Sequence, residues 1–124
     1  MHQIATPNAP AAIGPYCQAS VHNGFIFTSG QIPLDPATGA IVGTAIEEQA
    51  HRVCQNLSAV LTAAGSDLTK VLKTTCFLAD MNDFAAFNSV YAQYFAGKPA
   101  RSCVAVKTLP KNVLVEVECI AVVE

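Results

Sequence analysis

Near the carboxyl end of the chain two glutamates stand in a run of large aliphatic residues. If residues 113–123 form one strand, side chains alternate between its faces. Val113, Val115, Val117, Cys119, Ala121 and Val123 then share a wholly apolar face, and Leu114, Glu116, Glu118, Ile120 and Val122 share the other. A carboxylate held among aliphatic groups and away from water needs a partner. The sequence offers Arg101 as the cation. It is one of only two arginines, and it sits just before the neighbouring predicted strand, behind a proline that stiffens its approach. Such a pair would make a partly buried acid–base site. The same alternation also fits an ordinary antiparallel sheet with Glu116 and Glu118 facing water, although the aliphatic neighbours favour the site.

Other candidates are weaker. Cys103 lies close to Arg101, and a cation lowers a thiol pKa, but free cysteine is among the most buried residue types. His2 is terminal, His22 borders a predicted turn and His51 lies on the polar flank of a predicted helix, so none is placed beside a nucleophile. The zinc-protease, phosphate-loop, dinucleotide and serine-hydrolase signatures are all absent. The five cysteines, at 17, 54, 76, 103 and 119, have no metal-knuckle or redox-pair spacing. They read as reduced thiols, and the first 20 residues do not have the form of a secretory signal. A cytoplasmic setting is expected, with no metal and no cofactor.

The elements that must position these residues follow from local pattern. Residues 17–22 and 25–29 are β-prone runs around Asn23-Gly24, a dipeptide suited to a tight hairpin turn. Residues 31–43 read as an irregular loop with a short strand near 40–42. A helix is predicted from Thr44, with Thr44 and Glu47 at capping-box spacing. Its apolar face is Ile46, Ala50, Val53, Leu57, Val60, Leu61 and Ala64, and Gly65 ends it. Residues 71–78 predict a strand. A second helix, capped by Asn82 or Asp83, carries Phe84, Phe87, Asn88, Tyr91, Tyr94 and Phe95 until Gly97 and Pro99 stop it. Residues 102–106 and 113–123 predict a closing hairpin around Pro110 and Asn112. The expected order is β-β-α-β-α-β-β, an α+β fold with a mixed sheet and both helices on one face.

Composition adds one constraint. Only 13% of the 124 residues are charged, against about 25% in an average soluble chain. The apolar excess is not gathered into a membrane-length run, so it must lie on core faces or on a subunit interface. The net charge of −2 weighs against a polyanion partner.

Four segments carry a wider resemblance. They are Ala11-Ala12-Ile13-Gly14-Pro15-Tyr16, Thr28-Ser29-Gly30-Gln31-Ile32-Pro33, Asp80-Met81-Asn82-Asp83-Phe84 with Asn88, and Pro99-Ala100-Arg101-Ser102-Cys103-Val104 with Leu109-Pro110-Lys111 and Glu116-Val117-Glu118. On these the chain resembles the RidA/YjgF family of enamine/imine deaminases over essentially its whole length. The resemblance implies a single chorismate-mutase-like domain over residues 1–124, assembled as a homotrimer with a pocket at each subunit interface. It also implies hydrolysis of 2-imino acids such as 2-iminobutanoate and 2-iminopropanoate. These reactive products of pyridoxal-phosphate enzymes are thereby converted to 2-oxo acids and ammonia, a detoxifying role.

In that reading Arg101 holds the substrate carboxylate and Glu118 positions and polarises water. Tyr16 and Ser29 offer hydroxyls, Asn88 an amide, Gly30 with Gln31 the loop wall, and Phe84 and Ile32 the apolar lining. Cys103 contributes backbone groups rather than its thiol. The segment between Tyr94 and Pro99 is shorter than the resemblance leads one to expect, which leaves pocket size open. Two alternatives stand beside this reading. One is a non-catalytic 2-oxo-acid-binding regulatory module. The other is an endoribonuclease, supported only by Lys98, Arg101, Lys107 and Lys111 falling in one stretch.

Overall fold

A computed structural model describes residues 1–124. Its order is β1 (His2–Ile4), β2 (Ala19–His22), β3 (Phe25–Thr28), α1 (Ile46–Ala63), β4 (Val71–Leu78), α2 (Phe84–Tyr94), β5 (Ala100–Ala105) and β6 (Val115–Val122), with three short 3₁₀ turns. The expected α+β class holds, with both helices over one face of a mixed sheet. The sheet runs β1-β2-β3-β6-β4-β5, and only the β4–β5 pair is parallel. The strand β1 was not expected. Three residues carry too little periodicity to announce a strand, and β1 exists because β2 offers it an edge.

The β2–β3 hairpin forms as predicted, with Asn23 at φ 51° and Gly24 at φ 78°. The predicted closing hairpin does not form. β5 pairs with β4, and β6 lies on the other side of β4, so the segment after β5 crosses the end of β4 instead of turning tightly. Val106 N–H donates to Leu78 O at 2.9 Å, and Ala79 N–H donates to Leu114 O at 3.0 Å, tying both flanks of that crossing to β4. Pro110 and Asn112 signal a change of direction, and that signal is the same for a hairpin as for a connection that skips a strand. The parallel β4–β5 pair needs a long crossover, and α2 provides it.

Every expected α1 core residue except the half-buried Ala64 is buried, several of them completely. Burying each Leu or Val side chain in this way contributes roughly 1.5–3 kcal/mol. Against them pack Ile26, Leu78, Phe87, Val115 and Val117. The N-cap lies one residue later than predicted, at Ala45 rather than Thr44, and the helix runs from Ile46. Glu48 rather than Glu47 reaches back, its Oε1 accepting from the N–H groups of Thr44 and Ala45 at 3.2 Å. Gly43, at φ 84°, turns the chain so that Glu48 can fold over it.

The other end closes as a Schellman motif. Ser66 N–H donates to Leu61 O at 2.9 Å and Gly65 N–H to Thr62 O at 3.0 Å, with Gly65 at φ 83°. A methyl group on Gly65 would meet only an ordinary contact with Val123, so the cost of Gly65→Ala is conformational. Thermal unfolding should show a loss of about 1 kcal/mol, and Gly65→Asn should lose less.

Three buried amides fasten the loops to this core. Gln18 is 4% exposed. Its Oε1 accepts from Thr6 N–H at 2.7 Å, and its Nε2 lies within 3.3 Å of the carbonyls of Thr6, Ala9 and Pro10. Asn56 Nδ2 donates to the carbonyls of Ile32 and Leu34. Gln49 donates to Gly43 O and accepts from Leu114 N–H. Irregular backbone next to a core is held only when its polar groups find such partners.

The face of the sheet away from the helices is uncovered and largely apolar. Phe25 is 42% exposed, Phe27 48% and Val104 47%, with Phe77, Ile120 and Val122 half-buried among them.

Candidate active site

The expected site residues fall into two groups on different parts of the chain. The first lies under α2, on the helix-covered side of β5. Arg101 stands in register with Thr74 of β4, a fully buried residue whose hydroxyl pairs with Tyr91 Oη at 2.7 Å. The Arg101 guanidinium lies 4.8 Å from the Tyr91 ring centre and 5.4 Å from that of Phe84, and its Nη1 donates to Asn88 Oδ1 at 2.6 Å. Two aromatic faces and one amide therefore fix the plane of the fork, while its remaining N–H groups make no hydrogen bond within the chain. Tyr91 was read from the sequence only as part of a helix face. Its spacing one turn from Phe87 and Asn88 signalled burial, and only the fold shows that it carries the arginine.

Cys103 follows two residues later on the same side, in register with buried Cys76. Burial pushes its thiol pKa up, and Arg101 opposes the shift without reversing it. The same cause raises Cys54 and Cys76 to about 12. None of the three is a poised nucleophile, and no group of His, Cys, Asp and Glu side chains could hold a metal ion.

The second group lies where β3 gives way to the loop after it. Phe27 stands opposite Ile120 and Gln31 opposite Val117, so the β3 side carries one more residue than β6 over this stretch. The bulge is closed by Thr28, whose Oγ1 accepts from Cys119 N–H at 3.0 Å. Bulges of this kind re-aim side chains beside functional sites. Here the bulge turns Ser29, Gly30 and Gln31 along β6. Ser29 Oγ donates to Cys17 O at 2.6 Å, and Gln31 exchanges backbone hydrogen bonds with Val117. Tyr16, Gly30, Gln31 and Ile32 line a pocket of about 210 Å³, closed on one side by Pro110 and Lys111.

Glu118 is exposed on the uncovered face of the sheet, in register with Thr75. Arg101 and Glu118 thus point to opposite sides of one sheet, and a single chain does not bring them together. Glu116, not assigned a role from the sequence, is the carboxylate in contact with the loop wall. Its side chain lies so close to Gly30 that a β-carbon there would force the Glu116 carboxylate to move. Glu116 is half-buried, and burial, assisted by the neighbouring Glu118 charge, raises its carboxyl pKa above the usual range.

Of the histidines, His51 is not simply a surface group. Its Nδ1 lies 2.9 Å from Tyr94 Oη and links the two helices, away from either group of site residues. No helix is long and apolar enough to cross a membrane.

Comparison with known proteins adds family context. A family model described as Endoribonuclease L-PSP matches residues 6–123. The 2-iminobutanoate/2-iminopropanoate deaminase of Salmonella typhimurium is 50% identical over 123 residues, covering 96% of this chain and 95% of that protein. A Lactococcus lactis protein named "Putative regulator AldR" is 54% identical over 125 residues, covering 100% and 99%. Among solved structures, E. coli TdcF with bound serine superposes with a TM-score of 0.94 at 44% identity, covering 98% of each chain.

Proposed function

The chain belongs to the RidA/YjgF family, for which the matched description is Endoribonuclease L-PSP, and from that membership we propose that it hydrolyses small 2-imino acids to 2-oxo acids and ammonia. The observation that carries this reading is the Arg101 guanidinium, clamped between Tyr91, Phe84 and Asn88 with donors free. A planar fork held in this way matches a carboxylate through two parallel hydrogen bonds, and lysine cannot reproduce that geometry. The relative named as a 2-imino acid deaminase supports the same substrate class.

In the reaction, water adds to C2 of the imine and gives a carbinolamine. A carboxylate on the protein takes one proton from that water and returns it to nitrogen. The same carboxylate then carries the carbinolamine hydroxyl proton to the amine, the C–N bond breaks, ammonia leaves, and a carbonyl remains. In our reading the carboxylate is Glu116 as well as, or in place of, Glu118. Glu116 touches the Gly30 wall, and its raised pKa brings it closer to the working pH of a general base. Tyr16, Ser29, Gly30, Gln31 and Ile32 would form the wall facing the substrate, and Cys103 would offer its backbone.

Because Arg101 and the glutamates lie on opposite sides of one sheet, the complete pocket in this proposal takes Arg101 from one copy and the Gly30–Glu116 wall from another. The uncovered Phe25, Phe27 and Val104 face supports such an assembly, a homotrimer in the family reading.

The test is 2-oxobutanoate release in an assay coupled to threonine dehydratase. Acceleration over the uncatalysed reaction is expected, and its absence would sink the proposal. Cys103→Ser should retain most of the turnover, since its thiol is held protonated away from the chemistry. The relative named as a regulator favours one second reading, in which the same pocket binds a 2-oxo acid without turnover. In that case Arg101→Ala would abolish calorimetric binding while no variant changed any rate.

A further inference from the structure

Beside Arg101 the fold leaves a cleft of about 520 Å³ between the second half of α2 and the short segment leading into β5. It is lined by Ala92, Phe95, Ala96 and Pro99 and by two basic residues, Arg101 and Lys98, with no carboxylate among the lining residues. Lys98 is exposed at the edge of this cleft, so a substrate with one carboxylate would engage Arg101 and leave the lysine to water.

Lys98 is also held in an unusual backbone state. It sits at φ 52°, in the left-handed region, where a residue with a β-carbon costs roughly 1–2 kcal/mol. Its N–H closes the turn by donating to Phe95 O at 3.0 Å. Gly97 stands immediately before it and does not use a positive φ. The chain therefore places a lysine at the left-handed position of this turn, where a glycine would avoid the strain. Residues in this region occur in ordinary turns, as Asn23 does here, and also cluster at ligand clamps and active sites.

We infer that Lys98 makes this cleft a subsite for a second anionic group, so that the substrates it favours are 2-imino acids with an acidic side chain, one carboxylate on Arg101 and the other on Lys98. This rests on the deaminase reading for the identity of the reaction, while the binding of a dianion stands on the cleft alone. The apolar residues of the cleft, Ala92, Phe95, Ala96 and Pro99, suit the methylene groups between the two carboxylates.

The experiment has two arms, run on the full chain in its native assembly. In the first, 2-oxoglutarate and 2-oxobutanoate are titrated calorimetrically as diacid and monoacid probes. The unmodified protein should prefer the diacid by about tenfold, the worth of one partly desolvated charge-assisted contact. Lys98→Gly and Lys98→Asn both suit the left-handed backbone and so remove the cation without straining the turn. Each should erase that preference. In the second arm, 2-iminoglutarate is generated from glutamate by an amino-acid oxidase with catalase present, 2-iminobutanoate by threonine dehydratase, and the ratio of the two accelerations is compared across the same variants. The ratio should fall about tenfold in both.

A preference for the monoacid, or a diacid preference that survives both substitutions, overturns the inference. If neither imine is accelerated, the deaminase reading falls, and the calorimetric arm still decides whether Lys98 selects a second anion.

Discussion

Arg101→Lys should cost about as much activity as Arg101→Ala, a loss of roughly 10²–10³ in kcat/KM for 2-iminobutanoate. The reason is geometric. The fork is fixed by the Tyr91 and Phe84 rings and by Asn88, and a lysine ammonium at the same position would keep the charge but lose the planar pair of donors and the stacking. Truncating a partner in a desolvated carboxylate contact costs roughly 2–5 kcal/mol, which sets the expected range. Thermal unfolding should show only a small change, since Arg101 lies at an edge strand and is half-buried. A Lys variant retaining more than a fifth of the activity would show that charge alone is sufficient, and the clamp would then have no role in binding. Asn88→Ala provides an independent check, because it frees Nη1 without removing the cation and should raise KM more than it lowers kcat.

Glu116→Gln carries the second large effect, a loss of roughly 10²-fold or more in kcat if this carboxylate handles the proton of the attacking water. Glu118→Gln, two residues along the same face but exposed to solvent, is expected to cost far less. The pH profile separates a chemical role from a structural one. Burial, with help from Glu118, raises the Glu116 pKa, and the base form is the deprotonated one. The rate should therefore fall as pH drops through that raised pKa, and the limb should disappear in Glu116→Gln. Glu118→Gln removes a neighbouring negative charge, so it should move the same limb to lower pH. The stability effect has the opposite sense. A carboxyl with a raised pKa in the folded state binds more protons folded than unfolded between the two pKa values, so its contribution to stability declines as pH rises through that window. If Glu118→Gln is the more damaging variant, the carboxylate role belongs to Glu118, and the contact between Glu116 and Gly30 serves only packing.

Much of the fold was legible because the features that form it are local. The apolar face of α1, the Asn23-Gly24 turn, the Gly65 stop and the β4 segment are each written within one contiguous stretch of chain, and each forms close to where the pattern places it. The closing hairpin failed for the converse reason. Strand neighbours are chosen by long-range pairing, and nothing in residues 100–122 states that β4 will be inserted between β5 and β6. The capping shift from Glu47 to Glu48 is a smaller case. Spacing allowed either glutamate, and the backbone turn at Gly43 selected one.

The site divides along the same line. By itself the sequence determined the chemical inventory: an arginine behind a proline, two glutamates on one strand face, hydroxyl and amide groups in four recognisable segments, and a shortage of charge that had to correspond to core faces or a subunit interface. Side-chain alternation even placed Glu116 and Glu118 on the face opposite the helices. Only the tertiary structure decided which of these groups can act together. It put Arg101 beneath α2 and both glutamates on the other side of the sheet, it laid Glu116 rather than Glu118 against Gly30, and it left Lys98 beside Arg101 in a cleft of its own. Residue type and spacing specify what a side chain can do. Which side of a sheet it reaches, and what stands opposite it, depends on register and packing that no single segment encodes.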